Sequence, residues 1–195
     1  MAATLSIDAS APVMAGPDDD RLLAERAVLD SESFAALYRK YVTDIYRYCY
    51  RRLPDRESAE DVTSQVFLNA YRALPTLGHK PFRPWLFSIA HNAVIDAVRR
   101  SGPFAASLDG AEEWEDPAES PEGMVLEHES RDLVRTLLSQ LPRRDREVME
   151  LRLAGLNGLE IAQALHCSPG AVRTAHYRAL ERLRQLMTSG EGIAQ

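Results

Sequence analysis

The stretch that decides the fold is NGLEIAQALHCSPGAVRTAHYRALERLRQLM, residues 157–187. It predicts two helices joined by a short turn. Asn157 as N-cap with Glu160 three residues on is the reciprocal pairing of a capping box, and Ile161, Ala162 and Leu165 give the first helix one apolar side. The turn runs through His166 and Cys167. Ser168 then caps a second helix, with Pro169 at the first helical position, where a missing N–H costs nothing. Val172, Ala175 or His176, Ala179, Leu183 and Leu186 recur at steps of three and four. Arg173, Thr174, Tyr177, Arg178, Arg182 and Arg184 are left on the other face. This is the layout of a helix-turn-helix whose second helix enters the DNA major groove. An inert helical hairpin with a solvated basic face has the same pattern, so the rest of the chain must discriminate.

A length of 195 residues allows one or two domains with cores of their own. The net charge of −6 argues against a nucleic-acid partner until its distribution is read. Residues 31–101 carry eleven basic and seven acidic side chains, and residues 133–195 carry nine and six. Between them, residues 102–132 carry ten acidic side chains and one basic. Two basic blocks flank an acidic connector, and local charge is what a phosphate backbone responds to. Cys49 and Cys167 lie far apart with no second Cys or spaced His nearby, which excludes a zinc motif; both are expected to be small buried hydrophobes. The acidic N-terminus has no long apolar run, so neither a signal peptide nor a membrane span is expected, and the location expected is cytoplasmic.

Residues 1–20, small and polar with Pro12, Pro17 and three successive aspartates, read as a disordered tail. A first helix starts near Asp20 or at a second start signal around Ser31. Phe34, Leu37, Tyr38, Tyr41, Ile45, Tyr48 and Cys49 give it helical period, and Arg39, Lys40, Arg47 and Arg51 give it a basic face. Asp55 or Ser58 starts the next helix, containing AEDVTSQVFLNAYRAL, with Val62, Val66, Ala70 and Ala73 in one apolar row beside Phe67, Tyr71 and Leu74. A polar strip of Glu60, Asp61, Ser64, Gln65 and Asn69 is left exposed. After PTLGHKP, Pro81 or Phe82 opens a third helix, FRPWLFSIAHNAVIDAVRR. Its apolar set is Trp85, Leu86, Ile89, Ala93, Val94 and Val98, and its other face offers Arg83, His91, Asn92, Asp96, Arg99 and Arg100. Trp85, at helical spacing with Ile89, is assigned to the core.

From Ser101 to about Ser130 periodicity stops. Glycines, prolines and the run AEEWEDPAES predict a flexible, charge-extended linker. Helical pattern resumes at Leu133, Val134, Leu137 and Leu138, ending at Leu141-Pro142. Arg143 to Leu153 forms a further helix, with Val148, Leu151 and Leu153 apolar and Gly155 closing it. The fold class is therefore all-α: two small helical domains, the first of three or four helices and the second ending in the helix-turn-helix, joined by a flexible acidic linker.

In both blocks the chain resembles the bacterial RNA polymerase sigma factors, specifically the extracytoplasmic-function (ECF) group of the sigma-70 family. Residues 34–74 resemble the region 2 helices that dock on core polymerase, and 82–100 resemble the helix that recognises and melts the minus-ten promoter element. LPRRDREVMELRLAG with the hairpin after it resembles region 4, which reads the minus-thirty-five element. The resemblance divides the chain into a tail (1–20), region 2 (21–101), an acidic linker (102–130), region 4 (131–187) and a second tail (188–195). In the family the linker's position threads toward the active-site and RNA-exit channels of polymerase.

The resemblance also implies roles. Glu60, Asp61, Ser64 and Gln65 would meet the clamp helices of the β′ subunit, and region 4 would meet the β flap. Lys80, Phe82 and Arg83 would hold a flipped base of the non-template strand, a cation and an aromatic being what single-strand capture needs. Asn92, Asp96, Arg99 and Arg100 would approach the minus-ten DNA. Ser168, Arg173, Thr174, Tyr177 and Arg178 would face the minus-thirty-five element, with Arg173 or Arg178 able to pair guanine and Arg182 and Arg184 touching phosphate. His166 stands where the family has a turn glycine. The partners implied are core RNA polymerase and promoter DNA, with room for an anti-sigma factor and no membrane. No nucleophile with a base, paired carboxylate or metal spacing points to catalysis, so neither an enzyme activity, a metal nor a cofactor is expected. The competing reading is a two-domain helix-turn-helix regulator that binds duplex DNA without polymerase.

Overall fold

The computed structural model describes residues 17–101 and 133–189. Eight α-helices and one short 3₁₀ turn carry these residues, and no strand occurs among them. The N-terminal unit holds α1 (Pro17–Ala27), α2 (Ser31–Tyr50), α3 (Arg56–Ala73), the 3₁₀ turn Leu74–Thr76 and α4 (Phe82–Ser101). The C-terminal unit holds α5 (133–139), α6 (Arg143–Leu153), α7 (Gly158–Ala164) and α8 (Pro169–Ser189).

Both N-terminal start signals are used. The Asp30 carboxylate accepts from the backbone N–H groups of Glu32 and Ser33 and starts α2, while α1 is a separate helix before it. The expected tail therefore ends earlier than Asp20. The carboxylate of that residue is buried, accepting from the Tyr41 hydroxyl and from Lys40 Nζ, so α1 is pinned onto α2. Residues 1–16 lie outside the described residues. Asp55 caps α3 through the Ser58 N–H at 2.7 Å.

Leu37, Tyr41, Ile45 and Tyr48 of α2, Val66, Phe67 and Ala70 of α3, and Leu86, Phe87, Ala90 and Val94 of α4 form the core of this unit. Each fully buried Leu, Ile or Phe contributes about 1.5–3 kcal/mol. That sum far exceeds the few tenths by which β-branched residues disfavour a helix, so burial decides the fold.

In the C-terminal unit, α8 buries Val172, Ala175 and Ala179. Leu153, expected inside, is exposed because the inward face of α6 is rotated onto Val148, Leu151 and three acidic residues, Asp145, Glu147 and Glu150. His166 adopts φ +49°, a left-handed turn conformation uncommon for residues other than glycine. Cys49 is buried as expected, but Cys167 is only half-buried at the turn.

The two units are packed together. Helix α4 lies against α7, and one continuous apolar cluster runs from Ala24 in α1 to Ala175 in α8. The linker expected at 102–130 lies outside the described residues. No helix among the described residues is long and apolar enough to cross a membrane.

Candidate nucleic-acid interface

The loop 77–81 and the first turns of α4 bring Lys80, Phe82 and Arg83 into one neighbourhood, but with different surroundings. Lys80 is exposed. Phe82 is 1% exposed, its ring centroid 5.7 Å from Tyr41 and 5.6 Å from Trp85. The ring expected to capture a base is a core residue, because Phe82 is the first helical residue after Pro81 and points into the bundle. Arg83 is half-buried and faces the other unit. Its Nη1 donates to Gly155 O and its Nη2 to Ala154 O, both at 3.1 Å, and the guanidinium pairs with Glu160 at 3.4 Å. Glu160 also accepts from the Asn157 N–H at 2.7 Å, so the predicted capping box doubles as the docking point for α4.

Further along α4, Asn92, Asp96, Arg99 and Arg100 are exposed on one side. Arg99 pairs with Asp96 at 3.0 Å, and Arg100 Nε donates to the Asp96 carbonyl at 3.3 Å, which holds two cations on the last turn. His91, expected on this open face, is buried. Its Nδ1 lies 3.1 Å from the Tyr48 hydroxyl and 3.3 Å from Arg52 Nη1, and its Nε2 lies 3.9 Å from Glu147. An arginine can only donate, so Nδ1 is the acceptor and the proton sits on Nε2, toward Glu147. Burial, reinforced by the Arg52 charge, holds this imidazole down to about 4. Arg52 in turn lies 3.0 Å from Glu150 across the unit boundary. Glu150 Oε2 has no well-angled hydrogen bond, so that contact is an ion pair rather than a hydrogen bond.

The basic face expected on α2 is split. Arg39 and Arg47 are exposed, whereas Arg51 Nε and Nη2 are buried without a hydrogen-bond partner. Sequence reasoning missed this because the helical period puts Arg51 beside Arg47, while the last turn of α2 is covered by the C-terminal unit.

On α8, Arg173, Thr174 and Tyr177 are exposed, Tyr177 at 66%. Thr174 Oγ1 donates to Gly170 O. Ser168 Oγ accepts from the Ala171 N–H at 3.1 Å, capping the helix. Arg178 is held: Nη2 donates to the Asp145 carboxylate at 2.7 Å and Nε to its other oxygen at 3.3 Å. Arg182 donates to Gln140 O at 3.2 Å, and Arg184 pairs with Glu181 at 2.6 Å. Arg173 thus carries the unrestrained guanidinium of the first two turns. Ser168 and Lys80, from opposite units, line the same groove of about 630 Å³, with Trp85 and Leu159 as its apolar walls.

On α3, Glu60, Asp61, Ser64 and Gln65 are exposed; Glu60 accepts from Arg56 Nε at 2.6 Å and Gln65 donates to Asn69 at 2.7 Å. Leu68 and Tyr71, each about half exposed, continue that face. Leu68 follows Asp61, Ser64 and Gln65 at helical spacing, which was readable in the sequence as an apolar residue within a polar strip.

Residues 37–103 match the sigma-70 region 2 family and residues 131–183 the sigma-70 region 4 family. The chain is 34% identical over 198 residues to the ECF RNA polymerase sigma factor SigD of Mycobacterium tuberculosis, covering 96% of this chain and 92% of the relative. It is 38% identical over 152 residues to the ECF sigma factor ShbA of Streptomyces griseus, covering 72% and 80%. Against the ECF sigma factor BldN of Streptomyces coelicolor it is 34% identical over 171 residues, 85% of this chain but 64% of that longer relative. Among solved structures, CnrH in complex with the cytosolic domain of CnrY superposes with a TM-score of 0.70 at 24% identity, covering 87% of this chain and 97% of that one. That likeness concerns the fold. Identity of this extent across both units, in the same order, places the chain in the ECF group of RNA polymerase sigma factors.

Proposed function

We propose that the chain binds core RNA polymerase and directs promoter-specific initiation, its N-terminal unit recognising and melting the minus-ten element and its C-terminal unit reading the minus-thirty-five element. The observation that carries this reading is the presence of both matched units in one chain, with the exposed α8 face of Arg173, Thr174 and Tyr177 on the second. The exposed strip Glu60, Asp61, Ser64, Gln65 and Leu68 on α3 is the surface for polymerase, and Lys80, Asn92, Arg99 and Arg100 are the residues offered to minus-ten DNA. Phe82, being core, supports the shape of the capture loop rather than touching a base.

The packed arrangement is the resting one. Two elements about 25 base pairs apart are separated by roughly 85 Å of duplex at 3.4 Å per base pair. Helices α4 and α7, which touch, cannot sit on both at once. Engagement of polymerase separates the units, and this frees Arg83 from Gly155 and Glu160. The protein supplies specificity to an enzyme that does the chemistry.

Run-off transcription with purified core polymerase tests the proposal. Initiation at a defined promoter only when the chain is added supports it. Tight binding to duplex DNA without polymerase, with no effect on initiation, would overturn it in favour of a polymerase-independent regulator. An anti-sigma partner belongs to the same proposal: a protein that seals the packed arrangement would lower run-off product in this assay.

A further inference from the structure

Between the units lies a cavity of about 410 Å³ whose wall is basic. Arg51, Arg52 and Arg99 reach it from the N-terminal unit, and Arg135, Arg143 and Arg146 from the C-terminal unit. Several of these are committed elsewhere. Arg52 faces Glu150 and donates to the Tyr48 hydroxyl at 2.8 Å; Arg135 donates to Leu53 O at 2.6 Å; Arg143 donates to Glu147 at 2.9 Å; Arg99 pairs with Asp96. Arg51 is not. Two of its three guanidinium nitrogens are buried with no hydrogen-bond partner. Among the described residues Glu150 is the one carboxylate in the lining, and it is shared electrostatically by Arg52, Arg146 and Arg51.

A buried guanidinium without a partner is costly, since its desolvation is not repaid. Those two nitrogens are themselves closed off by protein, so an anion in the adjoining cavity offsets the cost through its charge rather than by bonding to them. Arginine forks match phosphate oxygens two at a time, and a volume of this size accommodates a small organic ligand. We propose that this cavity is a binding site for a polyphosphate group, free or carried by a nucleotide, held by Arg51 and Arg146 with Arg52, Arg135 and Arg143 around them. Because its arginines come from both units, the bound anion bridges them and holds the packed arrangement. The consequence for transcription rests on the sigma-factor reading; the binding itself does not.

Isothermal titration of the full chain with sodium pyrophosphate and, separately, with GTP tests the site, with sodium sulfate at matched ionic strength as the control. Saturable binding in the micromolar to submillimolar range is expected, at least tenfold weaker in Arg51→Gln and in Arg146→Gln and unchanged in Arg72→Gln on the remote helix α3. Preference for GTP over pyrophosphate assigns the source as a nucleotide; equal affinity assigns free polyphosphate. In phosphate-free buffer Arg51→Met removes an unpaired buried cation, so its melting temperature should rise by a few degrees, which also shows that the variant folds. Binding only at tens of millimolar, or undiminished by both arginine changes, would mean an adventitious ion only and would overturn the proposal. So would binding that appears only after Glu112, Glu113, Glu115 and Asp116 are neutralised, which would give the cavity to the chain's own acidic segment. Added pyrophosphate should lower run-off product further with the wild-type chain than with Arg51→Gln, the polymerase's own reverse reaction being common to both. Binding without that difference would leave the site standing and count against the sigma-factor reading of its effect.

Discussion

Arg52 Nε and Glu150 Oε2 stand 3.0 Å apart across the boundary between the two units, with side chains 9% and 5% exposed. Removing one member of a buried pair ordinarily costs about 3–5 kcal/mol, because the survivor is left charged and dry. Here a second route exists: the units can part and let water reach the survivor, so the penalty cannot exceed the free energy of docking. Glu150→Ala should therefore enlarge the radius of gyration in small-angle scattering while moving the urea midpoint of helical signal only slightly. A compact variant with wild-type scattering would show that the pair does not hold the units together.

Gly155 gives a second handle on the same boundary. Its φ of +81° is strained for any residue with a side chain, and an added Cβ would lie 3.1 Å from Arg83 Nη2. Gly155→Ala should cost roughly 1 kcal/mol or more of backbone strain and push the guanidinium off the Ala154 and Gly155 carbonyls. Arg83→Ala should loosen docking without that strain. In thermal melts the glycine variant should lose several degrees, and in scattering both should be expanded. An Arg83→Ala chain as compact as wild type would refute the role given to this contact.

His91 sets a pH window. Burial, then the Arg52 charge, lowers its folded pKa to about 4 from an ordinary 6.5; Glu147 pulls the other way, and Arg143 and Arg144 add to the lowering. Tyr48 caps Nδ1. Below pH 6.5 the unfolded chain binds a proton that the folded chain refuses, so stability is complete above about 6.5 and falls as pH drops toward 4. Glu147, pushed up by burial but held below its ordinary value by the Arg143 hydrogen bond and the Arg143 and Arg52 charges, adds a further loss on the acid side of 4.5. Urea midpoints at pH 7.5, 6.5, 5.5 and 4.8 should decline for wild type and stay nearly flat for His91→Gln. Parallel slopes for the two proteins would count against this assignment.

What was readable in advance follows from which interactions are local. The Asn157–Glu160 capping box, the Ser168 cap and the left-handed His166 each depend on residues within a few positions, and each is present as expected. The α2 and α3 cores follow from helical period, whereas on α4 only Leu86 and Val94 of the expected set are fully buried, beside Phe87 and Ala90, while Trp85, Ile89 and Ala93 are partly buried and Val98 is exposed. What period cannot give is the partner of an outward face. Arg51 and His91 looked exposed on their helices, and both are covered because a unit more than 40 residues further along packs over them. Phe82 was misplaced for a related reason: an aromatic beside a cation suits base capture, but as the first residue of α4 its ring turns inward onto Tyr41 and Trp85.

The two arginines of the reading helix should separate function from stability. Arg173 is exposed and unrestrained, so Arg173→Ala should leave the melting temperature unchanged. If it pairs a guanine edge, the change should lower initiation on the order of tenfold at a promoter with an intact minus-thirty-five element, and much less where that element is scrambled. Arg178 differs because two of its three guanidinium nitrogens hold the buried carboxylate of Asp145 on α6. Arg178→Ala leaves that carboxylate without its partner, so the melting temperature should fall and initiation should drop at both promoters alike. Run-off assays on the two templates beside thermal melts give the comparison. Loss of minus-thirty-five discrimination in Arg178→Ala with an unchanged melt would reassign base reading to Arg178 and show that it leaves Asp145 when DNA is bound.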